Sequence, residues 1–454
     1  MKICEVLSLT PHFRPRTVFT VSLGCPKNLV DNEIMLGELA RQGWQVVAEP
    51  EAALVLLVNT CAFIAPAAQE AVDTILELAR HKERSPEKRL VVAGCLPQRY
   101  GGELLKLLPE VDLFVGVNDF PRLARLLEEQ PEGRLHIGAP RFDYAAPQPR
   151  LAATPPYLAY LKIAEGCSHR CTFCTIPRIR GPYRSRPLPT LLAEAEELAA
   201  SGVRELILVA QDTTVYGREW GYRPGLPELL TELARLPGLL WIRLLYGHPS
   251  GVTKRLLQVM AAHPQICPYL DLPIQHAHEA VLRRMGRRYT NAELRRLFAD
   301  IRAILPQAAL RTTVMVGFPG ETEAEFAALL ELAAEVRFLH LGVFVYEPEE
   351  GTPAARLKSP VPRRTAKARA RRLKALQTRI VKEELQRLVG TVQEVLVEGV
   401  SEESEYLLTG RLSLQAPEID GRVLITAGQG HPGTLQRVRI TRVLAPDLLG
   451  EIVD

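Results

Sequence analysis

The sequence predicts an α/β protein with three regions: a parallel α/β N-terminal domain, a partial (β/α)6 barrel and a small C-terminal antiparallel β-barrel. Two observations predict this fold class. From residue 17 to about residue 355, apolar strand-like runs alternate with helical segments, which is typical of parallel sheets covered by helices. From residue 390 onward, glycines separate short runs of alternating polar and apolar residues, which favours a small barrel.

Length and composition agree with several globular domains. The chain has 454 residues, of which 47% are hydrophobic and 24% charged, and roughly 150 residues per domain suggests about three domains. No apolar run approaches the roughly 18 residues of a membrane helix, and residues 1–16 lack the apolar core of a secretory signal. We therefore predict a cytoplasmic protein with no membrane partner, whose thiols are kept reduced.

The predicted domain boundaries follow the changes of pattern along the chain. Residues 1–16 are an N-terminal extension, and a Pro-rich stretch at 141–156 is a linker. The other predicted segments are the first domain at 17–140, the barrel core at 157–355, a basic linker helix at 356–389 and the C-terminal barrel at 390–454.

In the first domain, each of three strand-like runs ends just before a cysteine. The runs are Thr17–Leu23, Leu54–Val58 and Leu90–Ala93, and the cysteines are Cys25, Cys61 and Cys95. Parallel strands bring such positions to one edge of a sheet, where open α/β sheets bind their ligands. Three separate core cysteines are the alternative, but core packing gives no reason for a cysteine at successive strand ends. We predict a shared metal site.

The second region has six strand-like runs spaced for βα units, which predicts a partial barrel with its site at the carboxyl ends of the strands. The runs are Tyr157–Ile163, Leu206–Ala210, Leu240–Leu245, Tyr269–Leu272, Thr312–Val316 and Leu341–Tyr346. Cys167, Cys171 and Cys174 follow the first run as a C-x3-C-x2-C motif. Structural zinc usually takes four ligands, and a disulfide would leave one thiol over. Three thiolates suit a [4Fe–4S] cluster with one iron open to another ligand.

This motif is the signature of the radical S-adenosylmethionine superfamily, which the second region resembles. The resemblance implies that the open iron of the cluster chelates S-adenosylmethionine and that electron transfer then releases a 5′-deoxyadenosyl radical. Members of this family contact the cofactor at positions that match Phe173, Gln211 and Gly317. Core packing is the alternative for Phe173, and a purely structural role is the alternative for Gln211 and for the Gly-Pro-Gly turn that contains Gly317.

Beyond about residue 17, the chain resembles the methylthiotransferases, in which a domain with three strand-end cysteines precedes a radical barrel and a TRAM domain. The resemblance implies that Cys25, Cys61 and Cys95 hold a second [4Fe–4S] cluster. Three segments are similar to the RimO type, the branch that modifies a ribosomal protein: Ser22–Asp31, Gln211–Thr214 and Leu272–His278. The tRNA-modifying branch typically has Gln-Met where this chain has Pro26-Lys27.

The reaction that the resemblance implies replaces a hydrogen by a methylthio group on the β-carbon of an aspartate in small-subunit ribosomal protein number twelve. A sulfur donor and a reducing electron donor are the other implied partners. Because a carbon radical abstracts the hydrogen, no catalytic residue is needed beyond the cluster ligands. We therefore assign no base or ligand role to His169, His276 or His278. Cys267 is assigned to packing, and Cys4 receives no role.

The charge of the chain is unevenly distributed. The net charge is +4, but residues 356–387 carry twelve basic and two acidic residues, whereas residues 390–454 carry five arginines and ten acidic residues. A TRAM domain that binds tRNA should present a basic surface, and an acidic one suits a basic ribosomal protein. The sequence thus argues against tRNA as a partner. The helix at 356–387 remains either a polyanion site or a solvated linker.

Two alternative functions remain open from the sequence. The first, in the same reaction class, is methylthiolation of a tRNA adenosine. The second is a non-catalytic iron–sulfur or zinc protein that binds RNA through its C-terminal barrel.

Overall fold

The structure, a computed structural model, describes residues 16–129, 133–140 and 148–453. The described residues form two compact units, one between 16 and 139 together with 148–151, the other of residue 140 and residues 152–453. The predicted N-terminal extension with Cys4 lies outside the described residues except for Arg16, as do residues 141–147 of the predicted linker. Within the described ranges, no helix is both long enough and apolar enough to cross a membrane.

The first unit is a parallel α/β domain, as predicted. Its elements are β1 (Thr17–Ser22), α1 (Pro26–Arg41), β2 (Gln45–Val46), β3 (Val55–Thr60), α2 (Ala65–Arg84), β4 (Arg89–Gly94), α3 (Cys95–Tyr100), α4 (Leu104–Leu107), β5 (Leu113–Val115), α5 (Leu123–Glu129) and β6 (Leu135–His136). The six strands form one sheet in the order β2-β1-β3-β4-β5-β6, and every neighbouring pair is parallel. Central strand β3 is buried along its whole length, which explains its continuous apolar run.

One helix of the first unit begins earlier than the sequence indicates. We predict a helix from about Tyr100, whereas α3 begins at Cys95, directly after β4. Gly94 has a φ of 98°, which lets the chain turn from strand to helix without a connecting loop. Pro97 sits in the first turn, where no intrahelical N–H bond is lost. The third cysteine is therefore part of a helix.

The second unit begins with the barrel core. Its elements are β7 (Leu158–Lys162), β8 (Ala164–Glu165), α6 (Ile176–Arg180), β9 (Arg184–Ser185), α7 (Leu188–Ala200), β10 (Glu205–Val209), α8 (Leu226–Leu233), β11 (Trp241–Leu244), α9 (Lys254–Ala262), β12 (Tyr269–Asp271), α10 (Glu279–Arg284), α11 (Asn291–Ile304), β13 (Ala309–Val316), α12 (Glu323–Val336) and β14 (His340–Val345). Strands β11-β10-β7 and β12-β13-β14 form two three-stranded parallel sheets. A parallel bridge between Ile242 and Ile266 joins β11 to the segment before β12. The predicted partial (β/α)6 barrel is confirmed.

The second unit ends with a long helix and a small barrel. These elements are α13 (Arg363–Gln386), β15 (Val392–Ser401), β16 (Ser404–Leu412), β17 (Val423–Ala427), β18 (Leu435–Leu444) and β19 (Asp447–Ile452). The five strands close in the order β15-β16-β17-β19-β18, which confirms the predicted barrel. Four neighbouring pairs are antiparallel, and β17 pairs with β19 in parallel. The alternation of polar and apolar residues shows which face of a strand is buried, but it does not show the direction of the neighbouring strand. The sequence therefore could not reveal the parallel pair.

Helix α13 is shorter than the predicted segment 356–389 and more deeply packed than a linker. It begins after Pro362, because proline is accepted in the first turn and disfavours helix before it. Leu373 belongs to the hydrophobic core of the (β/α)6 barrel, and Leu385 belongs to the core of the C-terminal barrel. The helix thus connects the two cores through its buried face.

The C-terminal barrel docks at the amino ends of the core strands. Glu205, the first residue of β10, accepts hydrogen bonds from Arg243 of β11 (2.7 Å) and Arg411 of β16 (2.5 Å). Asp420, between β16 and β17, accepts hydrogen bonds from Tyr269 (2.7 Å) and Arg311 (3.0 Å) near the starts of β12 and β13. The C-terminal barrel therefore lies at the end of the core opposite to the carboxyl ends of the strands, where the cysteine motif is.

Candidate functional site

The three predicted cysteines of the first unit all follow carboxyl ends of neighbouring strands. Cys25 lies between β1 and α1, Cys61 follows β3 directly, and Cys95 is the first residue of α3 after β4. Strands β1, β3 and β4 are adjacent in the sheet. The Cα of Gly24 packs so closely on Cys61 that an added Cβ would lie 2.5 Å from the Cys61 Cβ. The three thiols therefore share one edge of the sheet, as predicted.

Asn28, in the first turn of α1, connects the three cysteine segments. Its Nδ2 donates to the carbonyl oxygens of Leu23 and Thr60, at 2.9 Å each. Its Oδ1 lies 3.9 Å from the Sγ of Cys95. Asn59 in turn donates to the carbonyl oxygen of Asn28 at 2.6 Å. Because Asn28 is almost fully buried, these bonds fix the strand ends relative to one another.

Sequence reasoning did not single out Asn28. The available signal is that the first half of α1 buries polar side chains where an ordinary amphipathic helix would bury apolar ones. These buried residues are Lys27, Asn28, Asp31, Asn32 and Glu33.

The second cysteine group lies on a loop that follows the first core strands. Cys167 comes just after β8, and its N–H donates to the carbonyl oxygen of Gly181 at 3.0 Å. Thr172, inside the motif, donates from its N–H to Met285 (3.0 Å) and from its hydroxyl to Arg284 (2.7 Å), both carbonyl oxygens. The motif is thus held by backbone contacts to the end of α10 as well as by its own strand.

Burial keeps two of these thiols protonated in the absence of a bound cation. It raises the pKa of Cys167 to about 11 and that of Cys174 to about 12. Coordination to a metal would deprotonate these thiols. Neither cysteine group, both of which lie in the described ranges, brings three ligand atoms within 4.8 Å of one another.

A compact group of ligand-type side chains does occur beside the loop. His169, Asp212 and His248 have ligand atoms within 4.8 Å of one another. The two imidazole rings are stacked, with centroids 4.2 Å apart and planes 12° apart, so their in-plane lone pairs run parallel and do not converge on one ion. His169 Nε2 lies 2.6 Å from an Asp212 carboxylate oxygen. We interpret the group as an anchor of the cysteine loop.

His248 has a structural role of its own in this group. Its Nδ1 accepts a hydrogen bond from the Ser250 N–H at 3.2 Å. Burial, aided by the cation of Arg287, lowers the pKa of His248 to about 3. The ring is therefore neutral at physiological pH.

Gln211, a predicted cofactor contact, lies at the carboxyl end of β10 and is positioned by Glu165. Its Nε2 donates to Glu165 at 2.7 Å. Burial alone would raise the pKa of Glu165, but the Lys162 ammonium (2.8 Å) and the Arg180 guanidinium (3.2 Å) hold this pKa well below its usual range. The Oε1 of Gln211 is buried and has no hydrogen-bond partner among the described residues. It is an acceptor free to bind a ligand.

The other two predicted cofactor contacts have structural surroundings. Phe173 is half-buried and packs edge-on to Phe318, with ring centroids 6.5 Å apart. Gly317 follows β13 with a φ of 77°, donates its N–H to Glu321, and would place an added Cβ 2.4 Å from the Cβ of Ala366. Packing therefore requires glycine at position 317, whatever it contacts.

The remaining residues that sequence analysis weighed also have structural partners. His276 Nδ1 accepts the N–H of His278 at 3.0 Å, and its Nε2 lies 3.3 Å from Glu321. His278 caps α10 through the N–H of Ala280 at 3.2 Å. Cys267 is buried, and burial raises its pKa to about 12, which fits the packing role.

Arg287 is a further residue that sequence reasoning missed. Its cation lowers the pKa of Cys174 against the larger effect of burial. Its Nε is buried without a hydrogen-bond partner in the described part of the chain, and its Nη1 lies 3.5 Å from the Tyr289 hydroxyl. Nothing in the sequence distinguishes it from the other arginines and lysines.

A cavity of about 340 Å³ opens next to the cysteine loop. It is lined by Ser168, His169, Tyr183, Val215, Arg218 and Glu219. A pocket of this size beside the motif can admit a small molecule or an extended side chain.

Models of known families match all three regions of the chain. The uncharacterized protein family UPF0004 matches residues 17–116, the radical SAM superfamily matches residues 161–333, and the TRAM domain matches residues 389–453.

Curated proteins are similar to the chain over almost its whole length. A protein of Geobacter sulfurreducens named ribosomal protein uS12 methylthiotransferase RimO is 50% identical over 439 residues, which cover 96% of this chain and 98% of that protein. A protein of the same name from Syntrophus aciditrophicus is 49% identical over 448 residues, covering 97% of this chain and 99% of that protein.

Solved structures share the fold at low sequence identity. The radical S-adenosylmethionine methyltransferase TsrM from Kitasatospora setae, solved with cobalamin and a [4Fe–4S] cluster, superimposes with a TM-score of 0.59 at 17% identity. The match covers 75% of this chain and 77% of TsrM.

Proposed function

Because the chain belongs to the RimO family of ribosomal protein uS12 methylthiotransferases, which are radical S-adenosylmethionine enzymes, we propose that it methylthiolates the β-carbon of an aspartate in uS12. The observation that carries this proposal is the 50% identity over 96% of the chain with a protein of that name. The three regions are also those that the sequence predicts for a methylthiotransferase.

Membership of the radical family implies a [4Fe–4S] cluster and S-adenosylmethionine, and the C-x3-C-x2-C loop fits them. We propose Cys167, Cys171 and Cys174 as the cluster ligands. The loop carries three thiols, which are soft ligands for a cationic centre, and burial raises the pKa of Cys167 and Cys174. The chemistry that the cluster and S-adenosylmethionine supply together is homolytic removal of an unactivated hydrogen, which no side-chain base achieves.

A second [4Fe–4S] cluster on Cys25, Cys61 and Cys95 is part of the same proposal. These thiols lie at adjacent strand ends, and Asn28 holds their segments together. The site would take up the sulfur that becomes the methylthio group. The chain itself contributes thiolate ligands and a fixed geometry there.

We propose Phe173, Gln211 and Gly317 as contacts to S-adenosylmethionine. The support is strongest for Gln211, whose buried Oε1 lacks a partner in the described residues and can accept a hydrogen bond from an amino or hydroxyl group. Phe173 presents the part of its ring that Phe318 does not cover. Gly317 would contribute backbone atoms, since its N–H already binds Glu321.

The proposed partners are uS12, a sulfur donor and a reducing electron donor, in the cytoplasm where ribosomes form. We also propose the domain limits 17–140, 157–355 and 390–454, with 141–156 and 356–389 as connections. The two-unit division of the described residues groups the last two domains together.

The test is anaerobic reaction of the reconstituted enzyme with purified uS12, S-adenosylmethionine, sulfide and a reductant. Mass spectrometry should find one methylthio group in place of a hydrogen on a single aspartate. Formation of 5′-deoxyadenosine without any change in uS12, under conditions where tRNA gains the group, would contradict the proposal.

The surface of the C-terminal barrel disfavours tRNA as the substrate. Three of its arginines, Arg437, Arg439 and Arg442, lie exposed on β18. Glu394 of β15 stands directly opposite Arg437, and Glu451 of β19 stands opposite Arg439. Opposite charges at paired positions reduce the positive potential that a phosphate backbone requires.

A further inference from the structure

One face of α13 carries a row of cations that the proposed reaction does not use. The row, called here the basic stripe, consists of Arg364, Lys367, Arg371, Lys374 and Lys382, all of them exposed. Helical spacing places these residues within one narrow sector, and at 1.5 Å per residue the row is about 27 Å long. In the described ranges, none of the five makes a side-chain ion pair.

The other cations of the helix are neutralised. Arg369 and Arg372 pair with Glu321 and Glu323, which flank the start of α12. Arg363 pairs with Glu347 at 3.5 Å, and Arg379 pairs with Glu383 at 3.9 Å. No acidic residue occurs in α13 before Glu383. Apart from Arg363 at the start of the helix, the cations that form ion pairs thus lie on one flank, and those that form none lie on the other. Simple solvation of a linker helix does not explain this separation.

The position of the stripe relates it to the reaction site. Ala366, in the first turn of α13, packs on Gly317 just beyond the carboxyl end of β13. Gln377 donates to the carbonyl oxygen of Phe338 at 2.9 Å, before the start of β14. The helix therefore runs from the carboxyl edge of the core, where the cysteine loop lies, to the amino edge.

The chemistry of the stripe suits a polyanion with regularly spaced charges. A membrane surface would require an exposed apolar face on the same helix, but Leu373 and Ile380 are 0% and 1% exposed within the protein cores. Lysine and arginine in a row are typical contacts of a nucleic-acid backbone. Two exposed arginines of the C-terminal barrel, Arg437 and Arg439, in contrast face glutamates across the sheet.

We propose that the basic stripe binds the phosphate backbone of ribosomal RNA next to the substrate protein, so that the enzyme acts on uS12 in an RNA-containing particle. The proposal rests on the proposed function, because uS12 is a protein of the small ribosomal subunit. It assigns RNA contact to α13 instead of the TRAM domain.

The first test measures binding of the reconstituted full-length enzyme to purified small-subunit ribosomal RNA as a function of salt. The variant changes Arg364, Lys367, Arg371 and Lys374 to Gln, a residue that keeps helix propensity. Each lost phosphate contact should reduce the slope of log affinity against log salt by roughly 0.7–0.9, so the slope should fall by about 3. The matched variant changes Arg437, Arg439 and Arg442 to Gln and should keep the slope.

Two binding results would overturn the assignment. One is loss of RNA affinity in the barrel variant with the stripe variant unchanged. The other is a stripe-dependent affinity for polyglutamate or for vesicles of phosphatidylglycerol that equals or exceeds that for RNA.

The second test compares methylthiolation of isolated uS12 and of intact small subunits. At physiological salt, the stripe variant should lose at least about tenfold in kcat/KM on subunits, the equivalent of about 1.4 kcal/mol, and keep its rate on isolated uS12. Equal losses on both substrates, or activity of the unchanged enzyme on isolated uS12 alone, would overturn the inference and leave the proposed function standing. An unchanged enzyme that modifies neither substrate would contradict the proposed function itself.

Discussion

Cys61 and Cys171 belong to two groups of thiols to which we assign different steps. Cys61 lies at a strand end of the first unit, and Cys171 lies on the loop after β8 in the second unit. In the proposed function, sulfur insertion needs both groups, whereas cleavage of S-adenosylmethionine needs only the second.

This division predicts different phenotypes for two alanine variants. Cys171→Ala should abolish formation of 5′-deoxyadenosine, while Cys61→Ala should retain cleavage and stop methylthiolation of uS12. Chromatography of 5′-deoxyadenosine and mass spectrometry of uS12 measure the two outcomes. Cys267→Ala is the matched control, since that buried thiol lies outside both groups and should leave both readouts intact. Equal loss of S-adenosylmethionine cleavage in Cys171→Ala and Cys61→Ala would count against separate roles for the two cysteine groups.

Asn28 should determine the stability of the first cysteine site. Asn28→Ala removes the donor to the Leu23 and Thr60 carbonyls and leaves the buried Thr60 acceptor without this partner, at a cost of about 1–3 kcal/mol. The variant should lose iron from the first site to a chelator at least about tenfold faster, with 5′-deoxyadenosine formation unchanged.

The control for Asn28 is Asn291→Ala in the second unit, where the amide also donates to a backbone carbonyl, that of Ala277. It should keep the iron release rate of the unchanged protein. Unaltered iron release in Asn28→Ala would show that the strand ends hold their geometry without this side chain.

At the residue scale, the cysteines could be predicted because their spacing is itself the signal. Their positions after strands depend on local sequence, and so does the C-x3-C-x2-C motif. Asn28 and Arg287 could not be predicted in the same way, because their roles arise from contacts with distant segments. The Asn28 amide binds a carbonyl 32 residues away, and Arg287 acts on a loop that precedes it by more than a hundred residues.

At the scale of elements, the C-terminal barrel is fixed to the core by a buried ion network. Burial alone would raise the pKa of Glu205, but the guanidinium groups of Arg411 and Arg243 hold that pKa below its usual range. All three side chains are almost fully buried. Removing one member therefore leaves uncompensated charge in the interior.

Glu205→Gln should consequently lower the free energy of unfolding at neutral pH by about 3–5 kcal/mol. Because the pKa of Glu205 is depressed in the folded state, its contribution is fully present above the ordinary glutamate pKa of about 4.5 and is lost as pH falls through the folded value. The difference in Tm between the variant and the unchanged apoprotein should stay constant from neutral pH down to about pH 5 and narrow below it. A difference that is constant over this range would contradict the linkage.

The elements were predicted best where they are long and strongly patterned. All six core strands follow apolar runs in the sequence. Short edge strands such as β2 and β6, of two residues each, have no periodicity to detect and were missed. The direction of the β17–β19 pair and the start of α3 at Cys95 depend on closure of the barrel and on the φ of Gly94, which are tertiary and conformational facts.

At the scale of the whole molecule, positive and negative charges are concentrated on different parts of the chain. The net charge of +4 combines a strongly basic α13 with an acidic C-terminal barrel. In the structure, the cations of α13 divide into a paired flank and the basic stripe, and Arg437 and Arg439 of β18 face glutamates. A protein substrate in an RNA-rich particle accounts for both distributions.

The central claim is that one chain holds two [4Fe–4S] clusters, one for each cysteine group. The most direct measurement is the iron and acid-labile sulfide content of the anaerobically purified, reconstituted protein, with the triple variant Cys25→Ala, Cys61→Ala, Cys95→Ala in parallel. The account predicts about eight atoms of each per chain, falling to about four of each in the variant. A content of about four that the triple substitution does not change, or a colourless protein with zinc and no sulfide, would contradict it.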